Sequence, residues 1–332
     1  MKCLSSIIAC ALLSAGDSQG QNILSPGGPM GRSISNLTWF ILLVFIGVSV
    51  IMWLLCGWIL TRPRGTFEEH APIDAGGGKS WILIGGLAIP SVVLGGIFVM
   101  GVDAMNRLPM DHGNMHPAEI RVIAHQWWWE VRYLSEELDQ SFATANEIHI
   151  PVGRPIEIEL LSRDVIHSFW VPELNGKVDV VPGHTNRIRL EAARPGFFLG
   201  ECSEFCGVQH AHMAILVVAQ AISEYEEWLA GQRSPANTNE STSRGQALFI
   251  ARPCGLCHTI RGTPAQGTIG PDLTHLASRR GIGANMLIRD SASLAAWSVH
   301  AQSLKPGIRM PNVTQFNGQE LLDLVTYLQS LR

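Results

Sequence analysis

The chain has 332 residues, 46% of them hydrophobic and only 16% charged, which is too long for one ordinary domain and rather apolar for a purely soluble one. Its 24 Lys and Arg are scattered and outnumbered by 28 Asp and Glu, for a formal net charge of -4. That balance excludes a basic nucleic-acid face, so nucleic acid is not an expected partner.

Residues 1–16 read as a signal peptide: Lys2, an apolar stretch over 4–13, then Ser14, Ala15 and Gly16 before Asp17. Cleavage is expected near Gly16. Ile8-Ala9-Cys10 hints at lipid attachment, but the apolar run is short for a lipoprotein signal. A two-helix membrane anchor is expected over 36–104, because the runs 39–60 and 81–102 lack charge and each can span about 30 Å at helical rise. Trp39, Trp58 and Trp81 sit near the ends of the runs, where indole rings favour the water interface. The intervening loop carries Arg62, Arg64 and Lys79, which places it in the cytoplasm and puts the N-terminus and all that follows Asp103 outside.

Period-two alternation, as in Glu147-Ile148-His149-Ile150 and Arg187-Ile188-Arg189-Leu190, broken by Pro and Gly, predicts an all-β sandwich or barrel over 115–228. The Ser, Thr, Asn and Gln of the stretch up to 243 predict a flexible linker over 229–243, which would hold its two flanking domains together at high effective concentration. A small α-helical domain is expected over 244–332, with a terminal helix placing Leu321, Leu322, Val325, Leu328 and Leu331 at helical spacings.

The seven cysteines are Cys3, Cys10, Cys56 and the pairs Cys202/Cys206 and Cys254/Cys257. Only the pairs carry a chemical pattern. Cys254-Gly255-Leu256-Cys257-His258 is C-x-x-C-H, in which two thiols form thioethers to haem vinyl groups and the imidazole becomes an iron ligand. A redox dithiol would not need the histidine, and a zinc knuckle would need a second ligand pair. Met310 before Pro311 is the expected sixth ligand, with Met286 as its rival. Residues 244–332 resemble a class I cytochrome c domain, through this motif, Gly270-Pro271-Asp272-Leu273 and Met310-Pro311.

Residues 202–213 concentrate two Cys, two His and a Met, a soft donor set that favours copper over zinc. Two cysteines on one tight loop can bridge a pair of metal ions, whereas mononuclear blue copper needs one, and a local disulfide would leave the His and Met unexplained. The spacing C-x-x-x-C-x-x-x-H-x-x-M, with Asp164-Val165-Ile166-His167 and Gln126-Trp127-Trp128-Trp129-Glu130, resembles subunit II of cytochrome c oxidase and its copper-A centre.

That resemblance implies a cupredoxin-like fold for the β domain and bridging thiolates at Cys202 and Cys206. It also implies imidazole ligands at His167 and His210, with weaker ligands from Met213 and the Glu204 carbonyl. The Glu204 carboxylate would help hold Mg²⁺ at the border with subunit I. His212 falls off the motif. Trp127 matches the position at which electrons arrive from a soluble cytochrome c, although in a strand Trp127 and Trp129 would share one face and could simply cover the core or the lipid surface. Leu83 and Gly86 stand where the family often carries a proton-path Glu, and His184 replaces the Arg of its P-G-R.

The implied protein is an oxidase electron-transfer subunit in a bacterial inner membrane, with one haem c, a dinuclear copper-A and both redox domains in the periplasm. It would have no oxygen-reducing site of its own. Its implied partners are lipid, subunits I and III, and a donor such as a soluble cytochrome c or a quinol:cytochrome c reductase. The rival readings are a copper-A subunit of a nitric oxide reductase and a non-catalytic copper or haem assembly or sensor protein.

Overall fold

The structure, a computed structural model, describes residues 21–62, 78–106, 117–237 and 240–332. The signal peptide expected over 1–16, Arg64 and the first residues of the expected β domain lie outside the described residues. Among the described residues, two helices are long and apolar enough to cross a membrane, α1 (Pro29–Thr61) and α2 (Lys79–Asn106). Helix α1 begins ten residues before its apolar run, at a Pro in the first turn, because that turn belongs to the β domain. The amides of Gly27 and Gly31 donate to the carbonyls of Glu173 and Leu174 at 2.8 and 3.2 Å, and Ser35 is buried. Helix α2 widens into a π-helical stretch over Ile82–Ala88 just ahead of Pro90, which has no amide hydrogen to return to the preceding turn.

The β domain is a sandwich of two five-stranded sheets. One has the order β3-β2-β1-β5-β8, from Phe142–Ala145, Trp128–Tyr133, Ile120–His125, Ile156–Ser162 and Asn186–Leu190. The other has the order β4-β10-β9-β6-β7, from Glu147–Pro151, Ala214–Gln220, Gly196–Cys202, His167–Trp170 and Val178–Val180. The alternation seen in sequence is met in β1, where Ile120, Val122 and Ala124 are buried and the residues between them are not. Trp129 and Phe169 meet edge to face at 5.7 Å in the core between the sheets. Helix α3 (Ile222–Arg233) then covers one end, Trp228 stacking on His149 at 3.9 Å.

The C-terminal domain comprises α4 (Ser243–Ala251), α5 (Cys254–Cys257), the short hairpin β11–β12 (Gly281–Ile282 and Leu287–Ile288), α6 (Ser291–Leu304) and α7 (Gly318–Ser330). A capping box starts α7: Asn317 Oδ1 accepts from the Glu320 amide and Glu320 Oε2 from the Asn317 amide, both at 2.9 Å. Val325, Leu328 and Leu331 are buried as expected and Leu321 packs against them, but Leu322 is 58% exposed and Leu324 and Tyr327 turn inward instead. Helices α4 and α7 cross at Gly245, where a Cβ would lie 2.1 Å from the Asp323 carbonyl oxygen.

The stretch expected as a flexible linker over 229–243 is largely built into the fold. Helix α3 runs through Arg233, Gln232 Nε2 donates to Ser278 Oγ at 3.1 Å, and the Ala236 amide donates to the Arg261 carbonyl at 3.1 Å. Its polar composition reads as unstructured only because its partners lie 25 residues or more further along the chain.

Burial pulls His149 down to about 4, against its hydrogen bond to Gln220 Oε1 at 2.7 Å. Its folded pKa is therefore below the unfolded value, and the unfolded chain alone takes up this proton between pH 6.5 and 4. The group costs nothing above pH 6.5, and as pH falls through that window it removes about 3 kcal/mol of stability. Urea unfolding of the wild-type chain and of His149→Gln, compared from pH 7 to 4, should show the wild type losing that much more; equal losses would contradict the assignment.

Candidate metal and haem centres

The second sheet builds the first site. Strand order β10-β9-β6 sets the start of β6, the end of β9 and the start of β10 side by side at one end of the sandwich. Those three termini carry His167, Cys202 and, one residue before β10, Met213. The Cys202 amide donates to the Met213 carbonyl and the Ser203 amide to the Ser168 carbonyl, both at 2.9 Å, closing the loop 203–213 over the strand ends.

The ligand atoms of His167, Cys202 and Cys206 lie within 4.8 Å of one another, and all three residues are buried. The Cys202 and Cys206 sulfurs are 3.7 Å apart, too far for a disulfide of about 2.05 Å. His167 Nδ1 lies 3.8 Å from Cys202 Sγ, and His210 Nδ1 lies 3.6 Å from Cys206 Sγ. Met213 Sδ is 3.9 Å from Cys206 Sγ, and the Glu204 carbonyl oxygen is 3.2 Å from Cys202 Sγ. All six expected donors therefore converge on one buried point. His212 does not: its ring turns to Gln209 Oε1 at 2.8 Å.

Electrostatics at this point favour a bound cation. The neighbouring Cys206 sulfur, opposed by burial and helped by His167, holds the Cys202 thiol well below the usual thiol range. Cys206 moves above the usual thiol range, driven first by Cys202 and then by burial. The pair thus shares one proton, because two thiolates so close repel. A soft cation would replace that proton, and two thiolates, two imidazoles and a thioether fit copper.

His167 is oriented from behind by Asp164, whose Oδ1 lies 2.8 Å from His167 Nε2 and fixes Nδ1 as the nitrogen facing the sulfurs. Burial works against charge on His167, but Asp164 and Cys202 outweigh it and raise its pKa. Asp164 is itself tied at Oδ2 by the Gln126 amide at 2.8 Å.

The second site is a cavity between the two domains. Its walls include Cys254, Cys257, His258, Met310, Phe249 and Leu328 from the C-terminal domain and His125, Trp127 and Trp128 from the β domain. Met286, the rival to Met310, is not among its lining residues. Cys254 and Cys257 are unlinked and close one turn, α5, with the His258 amide donating to the Cys254 carbonyl at 3.0 Å. His258 Nδ1 donates to the Pro271 carbonyl at 2.8 Å, which leaves Nε2 as the lone-pair nitrogen. Burial holds this imidazole below its usual pKa and therefore neutral. Two thiols, a neutral imidazole of fixed tautomer and a thioether on an apolar cavity fit a covalent haem.

Trp127 lies between the two sites. It sits in the turn between β1 and β2 rather than in a strand, yet it is buried and belongs to the same core cluster as Trp129. Its Nε1 donates to the Cys206 carbonyl at 2.9 Å while its ring lines the cavity. Gly207, at φ 115, lets the copper loop press on that ring, since a Cβ there would be 2.9 Å from Trp127 Cζ2. Gly307 of the C-terminal domain approaches from the other side, and Trp127 is only 8% exposed.

Comparison with known proteins agrees with both halves. Residues 134–220 match the cytochrome c oxidase subunit II periplasmic domain and residues 242–332 match cytochrome c. Over 321 residues, 93% of this chain and 90% of the relative, the sequence is 32% identical to cytochrome c oxidase subunit 2 of Alkalihalophilus pseudofirmus. The chain belongs to the cytochrome c oxidase subunit 2 family. The Bacillus subtilis member is 25% identical over 330 residues, 93% of this chain and 91% of that one. A crystal structure of the periplasmic domain of subunit II from Bradyrhizobium japonicum aligns with 36% of this chain and 97% of its own, at 29% identity and a TM-score of 0.32.

Within this oxidase subunit, sequence reasoning assigned no role to Asp164, Gln126 or Lys305. Asp164 had a signal, a carboxylate three residues before a metal-type histidine; the other two act across domain and loop boundaries. Asp164→Asn is expected to weaken copper binding by about 10- to 100-fold, as loss of an orienting carboxylate does. Competition against a copper chelator in the full chain measures this, and unchanged affinity would remove Asp164 from that role.

Proposed function

We propose that this chain is the electron-accepting subunit of a bacterial haem-copper oxidase, with one covalent haem c and a dinuclear copper-A centre. When bound, these groups supply reversible one-electron oxidation and reduction. Cys254 and Cys257 would anchor the haem, and His258 and Met310 would hold its iron. Cys202 and Cys206 would hold the copper pair through their thiolates, His167 and His210 would supply its imidazoles, and Met213 and the Glu204 carbonyl would complete the set. The Glu204 carboxylate makes no hydrogen bond or ion pair among the described residues, and we assign it to a Mg²⁺ at the border with subunit I.

The observation that carries this reading is the position of Trp127, hydrogen-bonded to the backbone of Cys206 on one side and lining the haem cavity on the other. That arrangement gives an electron a short covalent and hydrogen-bonded route from one centre toward the other within a single chain. It also shields Trp127 from an external protein, so the donor, a soluble cytochrome c or a quinol:cytochrome c reductase, meets the C-terminal domain instead. Subunit I receives the electron and reduces oxygen, with subunit III completing the complex. Arg62, Arg64 and Lys79 set the loop between the helices on the cytoplasmic side, leaving the N-terminus and both redox domains in the periplasm.

Metal and haem analysis of the purified full chain, with optical and spin-resonance spectra, tests this. The expected result is two coppers and one covalent haem per chain, with one unpaired electron shared by both coppers in the oxidised state. One copper per chain, or a chain without haem, would contradict it.

A further inference from the structure

Lys305 lies at the end of α6 and is 1% exposed, one of the largest fully buried side chains in the molecule. Its ammonium donates to three main-chain carbonyls: Trp127 at 2.9 Å, His212 at 2.7 Å and Gly283 at 2.9 Å. The first two belong to the β domain, one in the β1–β2 turn and one in the copper loop; the third is in the β11–β12 hairpin of the C-terminal domain. Three protons thus meet three acceptors on three segments, which is the condition under which a buried ammonium is tolerated. None of the ion pairs among the described residues involves it, so the lysine serves these carbonyls rather than a carboxylate.

Its surroundings repeat the pattern. Gln209 Nε2 donates to the Pro306 carbonyl at 2.8 Å, and Asn285 Nδ2 donates to the Asn146 carbonyl at 2.9 Å. Arg279 Nε donates to Thr144 Oγ1 at 3.1 Å, and the Arg280 amide donates to Glu147 Oε1 at 2.8 Å. Each of these bonds crosses from one domain to the other, and among the side-chain hydrogen bonds of the described residues only those of Lys305 join the C-terminal domain to both the Trp127 turn and the copper loop.

We propose that Lys305 is a positioning residue, whose buried ammonium pins the C-terminal domain onto the Trp127 turn and the copper loop and so fixes the internal electron path. The inference rests on the proposed function for its redox consequence and on geometry alone for the clamp. In each transfer one electron leaves the haem iron and one arrives at the copper pair, and no bond or proton moves. An apolar side chain of equal bulk would fill the space but leave three carbonyls without a donor, so the contact would lose its fixed register.

The test uses the full chain, loaded with copper and haem, in lipid nanodiscs. In Lys305→Met, haem and copper content and the rate of haem reduction by a soluble cytochrome c should match the wild type. The internal rate between haem and copper should fall, and amide hydrogen exchange over 207–213 and 281–285 should rise, each by about tenfold or more, as expected for loss of hydrogen bonds to a charged group. Internal rate and exchange both at wild-type values would overturn the proposal. Should Lys305→Met fail to fold, Lys305→Gln decides: its amide can donate to at most two of the three carbonyls, so faster exchange over the two segments supports the clamp and wild-type exchange overturns it. A wild-type chain that bound neither copper nor haem would sink the functional reading, while exchange in the metal-free chain would still test the clamp.

Discussion

Two sulfur atoms 3.7 Å apart in a buried loop are the constraint around which this molecule is arranged. They are too distant to bond and too close to carry two unscreened negative charges, so the pair holds either a shared proton or a cation between them. The β sandwich meets that need through sheet order, which brings three strand ends together. Residues 35 apart in sequence, His167 and Cys202, thereby face each other across less than 4 Å. Asp164 and the Gln126 amide then hold the imidazole from behind, so the ring presents one chosen nitrogen.

The same loop is also a wall of the contact with the C-terminal domain. Cys206 contributes its sulfur to one site and its carbonyl to the Trp127 indole, and Trp127 in turn lines the other site. The two centres are therefore neighbours through one residue. The order seen in residues 229–237 belongs to this picture: the connection is helical and hydrogen-bonded to the C-terminal domain, so docking is a property of the fold as well as of chain length.

Much of this was legible in sequence because the signals are local. Charge-free runs, period-two alternation, C-x-x-C-H and the twelve residues from Cys202 to Met213 each declare themselves within one window. His167 and Met310 were found through resemblance and a Met-Pro pair, since only the fold brings them to their sites. Lys305 could not be found: a lysine near a helix end ordinarily points to solvent, and nothing in its neighbourhood says that three distant carbonyls surround it. The linker was misread for the same reason, and Trp127 lies in a tight turn that interrupts what looks like one continuous strand but is buried in the core all the same.

The most direct test of the sulfur constraint is X-ray absorption at the copper edge on the copper-loaded full chain. A centre built on Cys202 and Cys206 gives two sulfur neighbours and one imidazole nitrogen around each copper, with a second copper close by. A single sulfur per copper without a metal neighbour, together with a Cys202–Cys206 disulfide recovered by peptide mapping, would contradict it.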